Sequence, residues 1–125
     1  MPTVLVVDDD AAVRDLLAMV LRSDGFTVLT AKNGSEALKI SQSGLQRFDL
    51  LVSDIEMPDI DGKRLASAIR AEHPSLPVLF MSGCGRYIDA VSLPISAFLS
   101  KPLHLAVFLE VVRQLVSNRP QHAAA

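Results

Sequence analysis

Cysteine is nearly missing from this chain: Cys84 stands alone, so no intramolecular disulfide staples the fold, and no Cys/His cluster has the spacing of a zinc site. A basic excess is missing too. Twelve Lys and Arg against fourteen Asp and Glu give a net charge of −2, where a duplex-binding surface requires the opposite sign; direct nucleic-acid contact is not expected. No apolar stretch approaches the roughly 18 residues of a membrane span. No basic segment precedes the first apolar run, which follows Met1-Pro2-Thr3 directly. The expected compartment is therefore the cytoplasm, with no membrane contact. No glycine-rich phosphate cradle follows that first run either. Charged residues are scarce at 21% while hydrophobic ones reach 50%, which excludes a disordered or polar-tract protein. At 125 residues the chain is about one domain, able to bury roughly two-thirds of its unfolded surface.

What is present is unevenly placed. Asp8, Asp9 and Asp10 are consecutive, and Asp49, Asp54, Glu56, Asp59 and Asp61 share a window with no Lys or Arg. Eight of the fourteen acids therefore lie in two short segments.

Five apolar runs, at 4–7, 26–31, 48–53, 77–81 and 95–99, are uniformly apolar rather than alternating, the pattern of strands buried on both faces of a parallel sheet. Helical stretches separate them. Val13, Leu16, Leu17, Val20 and Leu21 form one stripe, followed by Gly25 at a C-terminal glycine position. Ser35 is placed to cap a second helix closed by Gly44, a third fits 62–72 ahead of Pro74, and a last one lies near 103–116. The segment between Ser82 and Lys101 leaves room for about two helical turns, so a helix over 85–92 is expected to be short or irregular. Residues 1–118 form the expected domain and 119–125 a frayed tail. The fold class is α/β, a single doubly wound five-stranded parallel sheet flanked by helices with right-handed crossovers.

In open α/β sheets, ligands bind beyond the carboxyl ends of the strands. Asp8 and Asp9 end the first run, Asp54 the third and Ser82 the fourth, and Lys101-Pro102 follows the fifth. Three carboxylates, a hydroxyl and an ammonium thus share one rim. Crowded carboxylates repel, and a hard divalent cation relieves them; an oxygen-only donor set suits Mg²⁺ better than zinc. Lys101 offsets more charge and is suited to hold a phosphoryl group. Together these describe phosphoryl transfer to a carboxylate, with Asp54 as nucleophile and Asp8 and Asp9 as a metal-holding pair. Asp10, ahead of the first helical stripe, reads as an N-cap. His73, His104 and His122 read as surface or helix-end residues, and Arg14, though within reach of the acidic rim, as part of a solvated face.

The segments Val4-Leu5-Val6-Val7-Asp8-Asp9-Asp10, Asp54-Ile55-Glu56-Met57-Pro58 with Asp61-Gly62, Phe80-Met81-Ser82-Gly83 and Phe98-Leu99-Ser100-Lys101-Pro102 closely resemble, in that order, the receiver domain of two-component response regulators. The short segment before Lys101 is most similar to receivers attached to hybrid sensor histidine kinases, which leaves two expected origins, a fragment of a larger kinase or a stand-alone receiver acting through protein contacts, with the reading leaning to the first. The resemblance implies the flavodoxin-like receiver topology and a phosphoryl group taken by Asp54 from a phosphohistidine on a histidine kinase or histidine phosphotransfer protein. It further implies Mg²⁺ held by Asp9, Asp54 and the Glu56 carbonyl, with Asp8 acting mainly through water. Lys101 would contact a phosphoryl oxygen, and its peptide bond to Pro102 would be cis. Ser82 matches the hydroxyl that moves toward the phosphate, and Phe98 the aromatic switch position; a homodimer on phosphorylation is a further implied state. Phe98 has no hydroxyl, so a tyrosine-type hydrogen bond at that switch is impossible. Glu56 adds negative charge at the mouth of the site, where it is expected to slow hydrolysis.

This describes a signalling switch that assists its own phosphorylation and dephosphorylation rather than an enzyme with an external substrate. Two other classes compete. A small haloacid-dehalogenase-like phosphohydrolase would use Asp8 of Asp8-Asp9-Asp10 as nucleophile, but Ala11-Ala12 replaces the hydroxyl-bearing stretch expected next. A flavodoxin-like nucleotide binder shares the strand-helix order, but the three acids would repel its phosphate.

Overall fold

The apolar runs form strands because they have no polar face to offer water, and the striped segments between them cover both sides. The computed structural model describes residues 2–83 and 96–117. Its strands are β1 (Thr3–Val7), β2 (Thr27–Ala31), β3 (Leu50–Asp54), β4 (Val78–Ser82) and β5 (Ser96–Ser100). Among the described residues there are four helices, α1 (Ala11–Ser23), α2 (Gly34–Ser43), α3 (Gly62–Glu72) and α4 (Leu105–Ser117). The sheet is wholly parallel, in the order β2-β1-β3-β4-β5. The expected fold class is the one observed. The helix expected over 85–92, Cys84 and the tail from 119 lie outside the described residues.

Alternate side chains of the central strands feed two cores. Leu5, Val7, Leu51 and Phe80 face α2 and α3, packing with Ala37, Leu65, Ala66 and Ile69. Val4, Val6, Leu50, Val52 and Leu79 face α1 and α4, packing with Leu17, Leu21, Phe108 and Val112. Each fully buried Leu or Val contributes about 1.5–3 kcal/mol, so a sheet covered on both faces holds its strand ends rigidly. Helix ends are fixed by local chemistry. Asp10 caps α1 as expected, its carboxylate accepting from Ala12 and Val13 N–H. Gly44 closes α2 with φ +66, a left-handed conformation that a side chain would strain. His73 caps the C-terminus of α3, and its ring lies 6.1 Å from that of Phe48.

Several boundaries differ from the sequence reading. The cap of α2 is Asn33, not Ser35: the Asn33 side-chain Oδ1 accepts from Glu36 N–H, while Ser35 turns to Asp59. Strand β3 starts at Leu50 rather than 48, since Phe48 is drawn into the core below the strand. Strands β4 and β5 each run one residue further, to the paired Ser82 and Ser100.

Candidate functional site

The chain leaves β1 for β2 on one side and returns to β3 on the other, so a crevice opens between the carboxyl ends of β1 and β3. Register then aligns the polar residues. Val7 pairs with Ser53, which sets Asp8 level with Asp54; Asp54 pairs with Met81, which sets Ser82 one step beyond; Ser82 pairs with Ser100, which sets Lys101 one step further. The Lys101 N–H donates to the Ser82 carbonyl at 2.8 Å, and the Lys101-Pro102 peptide is cis, as the resemblance implied.

The predicted residues converge. Carboxylate oxygens of Asp8, Asp9 and Asp54 all lie within 4.8 Å of one another. Lys101 Nζ donates to Asp8 Oδ2 at 2.9 Å and to Asp54 Oδ2 at 3.1 Å. Asp8 is fully buried, Asp54 nearly so, and Asp9 is exposed on the crevice lip. Asp8 Oδ1 accepts from Asp10 N–H at 2.9 Å, and Asp54 Oδ1 from Glu56 N–H at 3.2 Å. Phe98, half-buried, stands opposite Phe80 on β5 and packs on the core beneath α3.

Electrostatics follow from one ammonium serving two carboxylates. Burial pushes the Asp54 carboxyl above its ordinary range; the Lys101 hydrogen bond opposes this without cancelling it, and the neighbouring Asp8 charge adds to it. Burial alone would pull the Lys101 ammonium down, but its bonds to Asp8 and Asp54 outweigh that and lift it. Three carboxylates and one lysine leave two negative charges in the crevice, with oxygen donors only. A hard divalent cation of the Mg²⁺ class fits that deficit and that donor set.

The loop after β3 is built to present Asp54. Gly62 N–H donates to the Ile55 carbonyl at 2.8 Å, and a Cβ on Gly62 would lie 2.3 Å from the Asp54 carbonyl oxygen, so only glycine lets α3 start this close to the strand end. Asp59 reaches across to α2 and accepts from Gly34 N–H, Ser35 N–H and Ser35 Oγ–H. Arg14, half-buried, reaches the acidic rim rather than standing on a solvated face: its guanidinium donates to the Asp8 backbone carbonyl at 2.9 Å. One contact was missed by sequence reasoning. Ser82 Oγ, fully buried, donates to Glu56 Oε1 at 2.8 Å. The only signal for that bond was an acid two residues beyond one strand end and a hydroxyl at the next.

The profile of the response regulator receiver domain matches residues 4–113. The chain is 37% identical to the sensor kinase CckA of Brucella abortus (strain 2308) over 120 residues, 94% of this chain and 13% of that protein. It is 35% identical to the transcriptional regulatory protein GlrR of Escherichia coli (strain K12) over 102 residues, 79% of this chain and 22% of that one. The chain therefore spans a small part of these curated relatives. Among solved structures, the receiver domain of the hybrid histidine kinase CckA superposes with a TM-score of 0.80 at 37% identity, covering 91% of this chain and 98% of that one. The response regulator TrrA of Thermotoga maritima, in complex with Mg²⁺-BeF, gives 0.81 at 34% identity, covering 92% and 99%. The phosphohydrolase and nucleotide-binder alternatives fall with this match, and Asp8, sealed under Lys101, is poorly placed for the nucleophilic role the first required. The rim of acids around one lysine, the parallel fold that builds it and the length of the match agree: the chain belongs to the response regulator receiver domain family, the phosphoacceptor modules of two-component systems.

Proposed function

We propose that Asp54 is the phosphoacceptor and that Lys101, Asp8, Asp9, Ser82 and the backbone of Glu56 assemble around it for phosphoryl transfer. The observation that carries this reading is the meeting of three carboxylates within 4.8 Å, with one lysine bonded to two of them. An Asp54 oxygen attacks the phosphorus of a phosphohistidine protonated on its other ring nitrogen; the new P–O bond forms as the P–N bond breaks, the bonding pair stays on nitrogen, and the histidine leaves as a neutral imidazole that keeps that proton. Lys101 Nζ, already on Asp54 Oδ2, is the cation that meets a phosphoryl oxygen. Asp8, Asp9, Asp54 and the Glu56 carbonyl would hold Mg²⁺, which when bound neutralises phosphoryl charge. Ser82 then turns toward the phosphoryl group, and the Phe98 ring moves inward on β5. No external substrate is turned over.

The donor in this reading is a histidine kinase or histidine phosphotransfer protein. An apolar groove of ≈ 480 Å³, lined by Leu16, Leu17, Leu103 and Leu105, runs up to Lys101 and offers such a partner a surface beside the crevice. Leu16 and Met19 on α1 are exposed, which favours an apolar partner face there. No described helix is long and apolar enough to cross a membrane. We place the domain in the cytoplasm, spanning 1–118, with a homodimer forming on phosphorylation.

The test is to incubate the chain with acetyl phosphate and Mg²⁺, measure intact mass and map the label. One labile phosphoryl group on Asp54, absent when Mg²⁺ is chelated and in Asp54→Asn, is the expected result. Full labelling of Asp54→Asn would sink the assignment.

A further inference from the structure

Glu56 holds two neighbours at once. Its N–H donates to Asp54 Oδ1 at 3.2 Å, and its side-chain Oε1 accepts the Ser82 hydroxyl at 2.8 Å. Ser82 lies at the buried end of β4, anchored by the Lys101 N–H on its carbonyl, while the Glu56 side chain is half-buried at the crevice mouth. A serine hydroxyl has one hydrogen to give. Donated to Glu56, it is not available to an oxygen of a group on Asp54.

We propose that Glu56 is a latch: its carboxylate holds the Ser82 hydroxyl in the unphosphorylated state, and that bond must break before Ser82 can engage a phosphoryl group on Asp54. The inference rests on the phosphoacceptor reading above and adds a positioning residue to it, since Glu56 acts through Ser82. Three physical points support the latch. The bond has an ionised acceptor, which makes it stronger than a neutral serine contact. The phosphoryl group is itself an ionised acceptor, so the exchange trades one strong bond for another and is reversible. The arriving negative charge also repels the Glu56 carboxylate, whose place at the crevice mouth gives it a route to water. Conformational switching is therefore taxed by the latch, and removing it should raise apparent affinity for a phosphoryl mimic roughly tenfold.

A simple repulsion between Glu56 and an incoming anion would act in the same direction, so the test separates the two. Beryllofluoride is titrated into the full chain at saturating Mg²⁺, with binding read from backbone amide resonances, which also report that each variant is folded. Glu56→Ala should bind roughly tenfold more tightly than wild type. The same substitution in a Ser82→Ala background should change binding less than about twofold, and Ser82→Thr, which restores a hydroxyl, should restore the large effect. Glu56→Gln keeps an acceptor without the charge and should fall between wild type and Glu56→Ala. An equal gain from Glu56→Ala with and without the hydroxyl overturns the latch, as does no gain at all. In both of those outcomes beryllofluoride binding would still depend on Asp54. Wild-type binding by Asp54→Asn would instead overturn the phosphoacceptor reading, and the latch with it.

Discussion

The two ends of the sheet treat charge differently. At the amino end acids are matched: Asp49 accepts from Thr3 N–H at 2.8 Å, and Asp24 takes both arms of Arg113, at 2.9 and 2.6 Å. At the carboxyl end one lysine is divided between Asp8 and Asp54, and Asp9 stands beside them. The first arrangement joins α1 to α4 and needs nothing more. The second is short of positive charge in a buried place, a cost that a folded chain bears where chemistry requires it. The inference from charge deficit to function is strongest when a balanced pair in the same molecule serves as the control.

Lys101→Met tests the deficit most severely. It leaves Asp8 and Asp54 buried without a cation, which should destabilise the domain by about 3 kcal/mol, the low end for a broken buried pair because the Lys101 side chain keeps some exposure. It should also drive the Asp54 carboxyl still higher. Urea unfolding with and without Mg²⁺ checks both halves of the argument. Mg²⁺ should recover more stability in the variant than in wild type, since the cation then replaces the missing ammonium. Equal recovery in the two proteins would mean that the carboxylates are not a shared cation site.

Much of this geometry was readable beforehand because strand ends are one-dimensional information. A uniformly apolar run followed by Asp, Asp, Ser or Lys marks where a buried strand meets the rim, and parallel topology brings those ends together. Asp8, Asp54, Ser82 and Lys101 were legible for that reason. Side-chain partners between loops were not. Asn33 and Ser35 are both good caps two residues apart, and the choice between them depends on Asp59, distant in sequence, claiming Ser35. Arg14 was legible only as a choice between the rim and a solvated face, and the Glu56–Ser82 bond escaped altogether, because a long polar side chain chooses its partner only after the backbone is placed. The loop after β3 was legible as a loop, but the closeness of Gly62 to the Asp54 carbonyl is a property of packing alone.

Asp59 sharpens the comparison from within the same rim. It lies five residues after Asp54, yet four donors surround it, the N–H groups of Gly34, Ser35 and Ile60 and the Ser35 hydroxyl. Those hydrogen bonds, led by Ser35 N–H, hold its carboxyl far below the ordinary range, where burial pushes Asp54 the other way. Asp59→Ala should cost about 1 kcal/mol, the worth of a helix N-terminal cap. The sign of its pH dependence is fixed. A depressed folded-state pKa gives stability that is present above the unfolded value, near 4, and is lost as pH falls toward the folded one. Unfolding free energies of wild type and Asp59→Ala should therefore differ by a constant amount above about pH 5 and converge below about pH 4. A gap that stays constant into acid would show that the Asp59 charge is not what steadies the α2 N-terminus beside its Asn33 cap.

Arg113→Ala should have the smallest effect, and it is the control that the comparison needs. The Asp24–Arg113 pair has better geometry than the Lys101 contacts, bidentate and short, and each partner depends on the other for the shift in its pKa. Its Arg113 arm is half exposed, however, so water competes for both groups and salt screens what remains. Thermal melts should show a smaller loss than for Asp59→Ala, vanishing in high salt, with no change in how much Mg²⁺ stabilises the chain. The Lys101→Met loss should survive the same concentration of a monovalent salt, because Asp8 and Asp54 are buried and screening is weaker there than at the surface. If instead the exposed pair proved the more costly to break, geometry would outrank burial here, and charge deficit at the carboxyl rim would no longer mark function.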